Sequence, residues 1–378
     1  MTSKPDRPRL SRRQFVATSA LGAAFGGLSG RVGSMDPFSQ AVPGTPASGA
    51  ALRRVIIDTD PGVDDAFALL FAMRSPELKI EAITPVAGNV PLSLTLPNAL
   101  RMVEIAGRTD IPVARGASAP LMRKLVTATY AHGENGLAGV VFPEPTTKPV
   151  EQSAAELIYQ VASRHPGEVS IIAIGPLTNV ATALRAYPPL EKMIAEIVLM
   201  GGSLSGGNVT PAAEFNLYVD PEAASIVFGS GIPLTMVGLD VTRKAILTEA
   251  HVKTLEGGSN AVSRAAARIG RAILEQARRA GWTSGPAMHD PLAVATFLDK
   301  SVVQLENYFV AVETAGQFTS GETVGYRRAP LRGSAPPSNA SESSAVFSET
   351  FMPNANVAVD LSVQRFFGSF ISRLAGTG

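Results

Sequence analysis

The sequence predicts an α/β domain: a mainly parallel, doubly wound sheet with flanking helices and its working edge at the carboxyl ends of the strands. Three observations predict it. From Arg54 onward, short apolar runs alternate with helical segments. Each candidate strand runs into a loop rich in Gly, Pro, Asn or Thr, which is where open α/β sheets collect their ligands. The 378-residue chain is 45% hydrophobic and only 17% charged, enough apolar material for a large core.

The first 51 residues stand apart from that pattern. A basic stretch from Lys4 to Arg13 precedes a weakly apolar, small-residue run from Phe15 to Leu28 that no acid interrupts. Within it, Ser11-Arg12-Arg13-Gln14-Phe15-Val16 resembles a twin-arginine export signal, a receptor-read address that adds nothing to a fold. The run is too short and too weakly apolar for stable membrane insertion, which takes roughly 20 apolar residues. Ser29 to Ala51, rich in Gly, Pro and Ser, reads as a linker. The expected division is therefore 1–51, signal and linker, and 52–378, the functional domain, exported to the periplasm or beyond.

The elements follow in order. Arg54 to Asp58 is a buried strand by its β-branched content, and Asp64 to Leu70 opens a helix with acids in its first turn. Between them lies a tight Pro61-Gly62 turn. Further strands are expected at Ile80–Thr84, Val169–Ile174, Glu196–Met200 and Leu234–Val237, with helices at Pro97–Ala106 and Asn179–Ala186. A mostly polar helix from Asn260 to Ala280 reads as peripheral, and Arg327–Glu342 as a flexible loop. A strand at Val357–Val359 and an amphipathic helix at Leu361–Leu374 close the domain.

Composition narrows the chemistry. A net charge of +1 and the lack of a basic run exclude the electrostatic footprint of a nucleic-acid binder, so a small molecule is the expected partner. With no cysteine, thiolate nucleophiles, disulfides and Cys-ligated metals are excluded too. Carboxylate, amide, hydroxyl and imidazole chemistry remain.

The richest segment is Asp58-Thr59-Asp60-Pro61-Gly62-Val63-Asp64-Asp65-Ala66, four carboxylates within eight residues at a strand-to-helix junction. Helix capping accounts for one or two acids, and a dipole interaction is worth only about 0.3–1 kcal/mol each. A hard divalent cation accounts for the whole group, because Ca2+ and Mg2+ take oxygen ligands.

This run, with similar pieces spread from Asp58 to the final helix, resembles the nucleoside hydrolase family, also called inosine-uridine preferring nucleoside hydrolases. The resemblance implies a ligand set of Asp60, Asp65, Asp290 in Met288-His289-Asp290-Pro291, and the backbone carbonyl of Ile174 before Gly175-Pro176-Leu177-Thr178-Asn179. Asp60 would also take a proton from water held by the ion, and Asp64 would contact the ribose diol. Asn89, and then Asn208, Glu214 and Asn216 in the Gly206–Asn216 segment, resemble the family's sugar ligands; amides and carboxylates suit hydroxyls that both donate and accept. His289 would protonate the departing base, and histidine there implies broad or inosine/uridine-type use. His132 in Tyr130-Ala131-His132-Gly133 is either a second pocket group or a structural histidine. Calcium is the expected ion, because three carboxylates, a carbonyl, a diol and a water exceed a strict octahedron. By analogy, a homo-oligomer is expected.

Two other readings compete. A phosphohydrolase of the haloacid dehalogenase type also begins with Asp-x-Asp after a strand, but it leaves Asn208, Glu214 and Asn216 without a task. An exported ribose- or nucleoside-binding protein without turnover would keep the same pocket. The lone tryptophan, Trp282, is either a stacking surface for the base or a packing residue at a helix end.

Overall fold

A computed structural model describes residues 52–327 and 351–377. The predicted export signal, the linker and almost all of the predicted Arg327–Glu342 loop lie outside the described residues. No helix among the described residues is long and apolar enough to cross a membrane.

The strands are β1 (Arg53–Thr59), β2 (Leu78–Pro85), β3 (Ala114–Arg115), β4 (Val150–Ser153), β5 (Val169–Ala173), β6 (Ile194–Met200), β7 (Leu234–Val237), β8 (Val303–Val312), β9 (Thr323–Tyr326) and β10 (Ala355–Leu361). Eight of them form one sheet in the order β2-β1-β5-β6-β7-β10-β8-β9. The pairs from β2 to β10 are parallel, while β8 pairs antiparallel with both β10 and β9. The predicted sheet is thus present, extended by an antiparallel edge for which no strand was expected. β3 and β4 make a separate parallel pair.

Helices cover both faces, which is why the central strands read as unbroken apolar runs such as Val55-Ile56-Ile57. One face carries α1 (Val63–Met73), α2 (Leu92–Ile105), α9 (Glu249–Glu256), α10 (Ala261–Arg279), α11 (His289–Leu298) and α12 (Val363–Ala375). Their core centres on Phe67 and Phe71, each meeting Phe370 edge-on at 5.9 and 5.3 Å. The other face carries α4 (Ala154–Arg164), α5 (Thr178–Ala186) and α7 (Pro221–Phe228). Short helices α3 (Thr129–His132), α6 (Phe215–Val219) and α8 (Leu239–Thr242) lie in loops that follow strands.

Two expectations need correction. α2 begins at Leu92, so Pro97 lies inside it instead of opening it; the first turn is built on Pro91, whose carbonyl accepts from the Leu94 and Thr95 amides. The Asn260–Ala280 helix is not peripheral. Val262, Ala265, Ala266, Ile269 and Ile273 are buried along one stripe, a spacing of three and four residues that turns a narrow face inward. Arginines and small alanines around that stripe made its composition look polar.

Candidate active site

β1 has β2 on one side and β5 on the other, so the chain reverses its winding direction there and opens a crevice at the carboxyl ends of β1 and β5. Asp58 sits in register with Thr84 and Ala173. The chain then turns through Asp60-Pro61-Gly62 into α1. Asp65 fixes that turn: its carboxylate accepts from Thr59 Oγ1 (2.6 Å), the Asp60 amide (3.1 Å) and the Gly62 amide (3.0 Å), and from Asn89 Nδ2 (2.9 Å). Capping is therefore part of what Asp65 does.

Asp60 is fully buried. One oxygen, Oδ2, accepts from the Asn89 amide at 2.7 Å; the other, Oδ1, has no hydrogen-bond partner. Close backbone makes this packing possible. A Cβ on Gly88 would lie 2.0 Å from Asp60 Oδ2, and one on Gly175 would lie 2.7 Å from Oδ1. Gly88→Ala is expected to lower unfolding free energy by about 1–3 kcal/mol, the usual cost of overpacking, and to displace Asn89 and Asp60 together. Urea denaturation checks it; a variant as stable as the parent would mean that the Asp60 carboxylate has room to move.

α11 brings the remaining acid. Asp64, Asp65 and Asp290 offer carboxylate oxygens within 4.8 Å of one another, all buried, and the N-terminal ends of α1 and α11 contribute favourable positive potential. It does not suffice. Burial, then repulsion from neighbouring aspartates, holds Asp60 and Asp290 well above the usual carboxylate range, and burial also raises Asp64 and Asp65. A buried group of acids that resists ionisation, with an unpartnered oxygen on Asp60 beside it, fits a hard divalent cation. The trio that converges contains Asp64, with Asp60 adjoining. The Ile174 carbonyl lies at the same edge and accepts from Asn216 Nδ2 at 3.3 Å.

Above this floor is an open cleft of the kind that takes a small molecule. Asp64, Asn89, His132, Ile174, Asn208, Glu214, Asn216, His289 and Asp290 all line it; Asp60 and Asp65 lie beneath. Glu214 caps α6, accepting from the Asn216, Leu217 and Gly202 amides at 3.0, 3.2 and 3.1 Å, and burial raises its carboxyl to about 7. Asn216 Nδ2 ties the β6 end to the β5 end through Met200 and Ile174 carbonyls. Asn208 is exposed at the rim.

The family model described as inosine-uridine preferring nucleoside hydrolase matches residues 55–368 of this chain. The chain belongs to that family. It is a nucleoside hydrolase, an enzyme acting on ribonucleosides. Among curated relatives, the pyrimidine-specific ribonucleoside hydrolase RihA of Citrobacter koseri is 43% identical over 322 residues, covering 85% of this chain and 97% of the relative. RihA of Enterobacter sp. (strain 638) is 46% identical over 271 residues, 71% of this chain and 87% of the relative. Two solved structures are similar throughout. A plant nucleoside hydrolase is 32% identical with a TM-score of 0.76, covering 85% of this chain and 99% of its own. A purine-preferring ribonucleoside hydrolase from Gardnerella vaginalis is 30% identical with a TM-score of 0.75, covering 86% and 98%.

Two histidines stand at the nucleoside hydrolase cleft. His132 Nδ1 accepts from the Val63 amide at 3.0 Å, so a proton on the neutral ring sits on Nε2, and burial lowers its pKa to about 4. That bond also ties the ring to the first turn of α1, with Nδ1 3.8 Å from Asp64 Oδ1. His289 opens α11, its pKa lowered chiefly by burial and opposed by the charge of Asp64. Tyr130, Ile273 and Trp282 complete an apolar side of the cleft, of which sequence reasoning named Trp282 alone. Gln276 on α10 donates to the Ala131 carbonyl at 2.8 Å and joins that helix to the loop bearing His132.

Proposed function

We propose that this nucleoside hydrolase prefers pyrimidine ribonucleosides, cleaving uridine and cytidine to ribose and free base. One observation carries the mechanism: a floor of buried aspartates, with Asp60 Oδ1 lacking any partner, beneath a cleft lined by amides, carboxylates and two imidazoles. The base preference is supported by the relatives that are 43–46% identical, both named pyrimidine-specific; the purine-preferring structure is more distant at 30%.

In this reading Asp60, Asp65, Asp290 and the Ile174 carbonyl would hold the cation, and calcium is favoured by the large number of oxygen donors. When bound, the ion neutralises the carboxylates and acts as a Lewis acid toward oxygen. Asp60 accepts a proton from the attacking water, its free oxygen being the acceptor the fold leaves available. Asp64 and Asn89 face the ribose diol, and Asn208, Glu214 and Asn216 bind the remaining sugar hydroxyl. The anionic floor stabilises the positive charge that grows on the sugar as the glycosidic bond breaks. His289, as the imidazolium, passes a proton to the leaving base and is left neutral, and His132 offers its Nε2–H to a base carbonyl.

The test is release of base from uridine, cytidine, inosine and adenosine by purified protein, with calcium and after chelation. Expected are cleavage of the two pyrimidine nucleosides, loss with chelator and recovery with calcium. Equal cleavage of inosine would replace the pyrimidine preference with the broader inosine-uridine range; cleavage of none would point to a ribose-binding protein without turnover. Export by the Arg12-Arg13 signal is also proposed, on sequence grounds, and blocked secretion of the Arg12→Lys, Arg13→Lys double variant is the check.

A further inference from the structure

We propose that Thr242 is a positioning residue for the reaction: its hydroxyl accepts a hydrogen bond from His289 Nδ1–H and so aims Nε2–H of the imidazolium at the substrate. This inference rests on the role assigned above to His289.

Thr242 is the last residue of α8, in the loop that follows β7, and it is fully buried. A threonine at a helix end ordinarily bonds its hydroxyl back to a carbonyl in the preceding turn. Here the Thr242 amide takes the Gly238 carbonyl, while Oγ1 lies 2.7 Å from His289 Nδ1. Among the described residues this is the one hydrogen bond of that hydroxyl, and His289 Nε2 has no protein partner. The contact is braced by backbone on both sides. The Met288 amide donates to the Ala245 carbonyl at 2.8 Å, the Leu247 amide to the Pro286 carbonyl at 2.9 Å, and Ile246 and Ala287 form an antiparallel bridge. Thr242 and His289 are therefore held together by paired segments.

Chemistry gives the contact its meaning. Only the imidazolium can give up a proton and remain a neutral ring, and it carries a hydrogen on both nitrogens. Thr242 Oγ1 accepts from Nδ1–H, which fixes the plane of the ring and aims Nε2–H at the cleft. After Nε2 has given its proton, Nδ1–H and this bond remain, so the ring keeps its orientation through the transfer. Valine has the same shape and no hydroxyl, so it releases the ring's orientation without opening a cavity.

The experiment compares Thr242→Val, Thr242→Ser and His289→Ala on uridine and on 4-nitrophenyl β-D-ribofuranoside, whose leaving group departs without protonation. Thr242→Val is expected to lower kcat on uridine by at least about tenfold, because a misaimed proton donor loses its near-attack geometry, with KM and the nitrophenyl substrate changed less than about twofold. Thr242→Ser is expected to restore uridine cleavage. Equal loss on both substrates would overturn the proposal in favour of a packing role, as would unchanged uridine cleavage in Thr242→Val alongside a crippled His289→Ala. Full uridine cleavage by His289→Ala would remove the His289 role itself and this inference with it.

Discussion

Replacing Asp60 by asparagine is expected to lower kcat on uridine by about 10^2–10^4-fold, the range that a positioned proton acceptor contributes, in a protein that remains folded. The geometry separates the two effects. Asn89 donates its backbone amide to Asp60 Oδ2, and the oxygen of an asparagine takes that bond unchanged. The amide nitrogen then occupies the place of Oδ1, to which no protein group hydrogen-bonds and which in asparagine accepts no proton. Because the substitution also replaces a buried carboxyl that must take up a proton, or ionise beside other aspartates, with a permanently neutral amide, the chelated variant is expected to melt above chelated parent protein. Steady-state base release and thermal melting in EDTA check both halves. Activity within a factor of a few of the parent would move the proton acceptor to Asp64 or Asp65.

That cluster was the most legible part of the site, for a physical reason. A strand-to-helix turn compresses Asp58, Asp60, Asp64 and Asp65 into one short segment, so local sequence alone shows charges that need an explanation. Asp290, His289 and Ile174 arrive from other strands and helices, and only the family resemblance placed them beside it. Capping also accounts for part of what two of the acids do: Asp65 fixes the first turn of α1 and Glu214 the first turn of α6. Asn89 likewise has its amide nitrogen engaged with Asp60 and Asp65, so it orders the acids in addition to facing the cleft.

What the sequence concealed has two causes. The apolar side of the cleft includes Tyr130 on the short helix α3 and Ile273 on an arginine-rich helix, neither of which the local sequence marks as a cleft residue. The antiparallel strands β8 and β9 carry mixed burial along their length, so neither an unbroken apolar run nor a clean alternation announces them. Thr242 looked like any buried threonine until the fold set it against His289.

In the absence of a cation, thermal stability is expected to fall as pH rises from about 6.5 to 8.5, and millimolar calcium is expected to reverse the trend. Burial raises Asp58 and Glu214 to about 7, and Asp60 and Asp290 well above their ordinary range. Above a pH of about 4 the unfolded chain has released these protons while the folded chain keeps them. The unfolded state then binds fewer protons, so stability is fully present at low pH and is lost as pH climbs through the folded values. His132 and His289 act in the opposite direction, since burial lowers both; their contribution grows with pH but is complete once the unfolded histidines have titrated, at about 6.5. Above that point the acids alone decide the slope. A cation competes with those protons for the same oxygens, so its effect is largest where the acids are most reluctant to ionise unaided. At a concentration a thousandfold above its Kd, binding to the folded state alone adds about 4 kcal/mol. Melting curves at pH 6.5 and 8.5, in EDTA and in calcium, read the difference directly. Stability that rises with pH in EDTA would mean that the buried carboxylates ionise readily without help, and the physical case for a cation at this floor would fall.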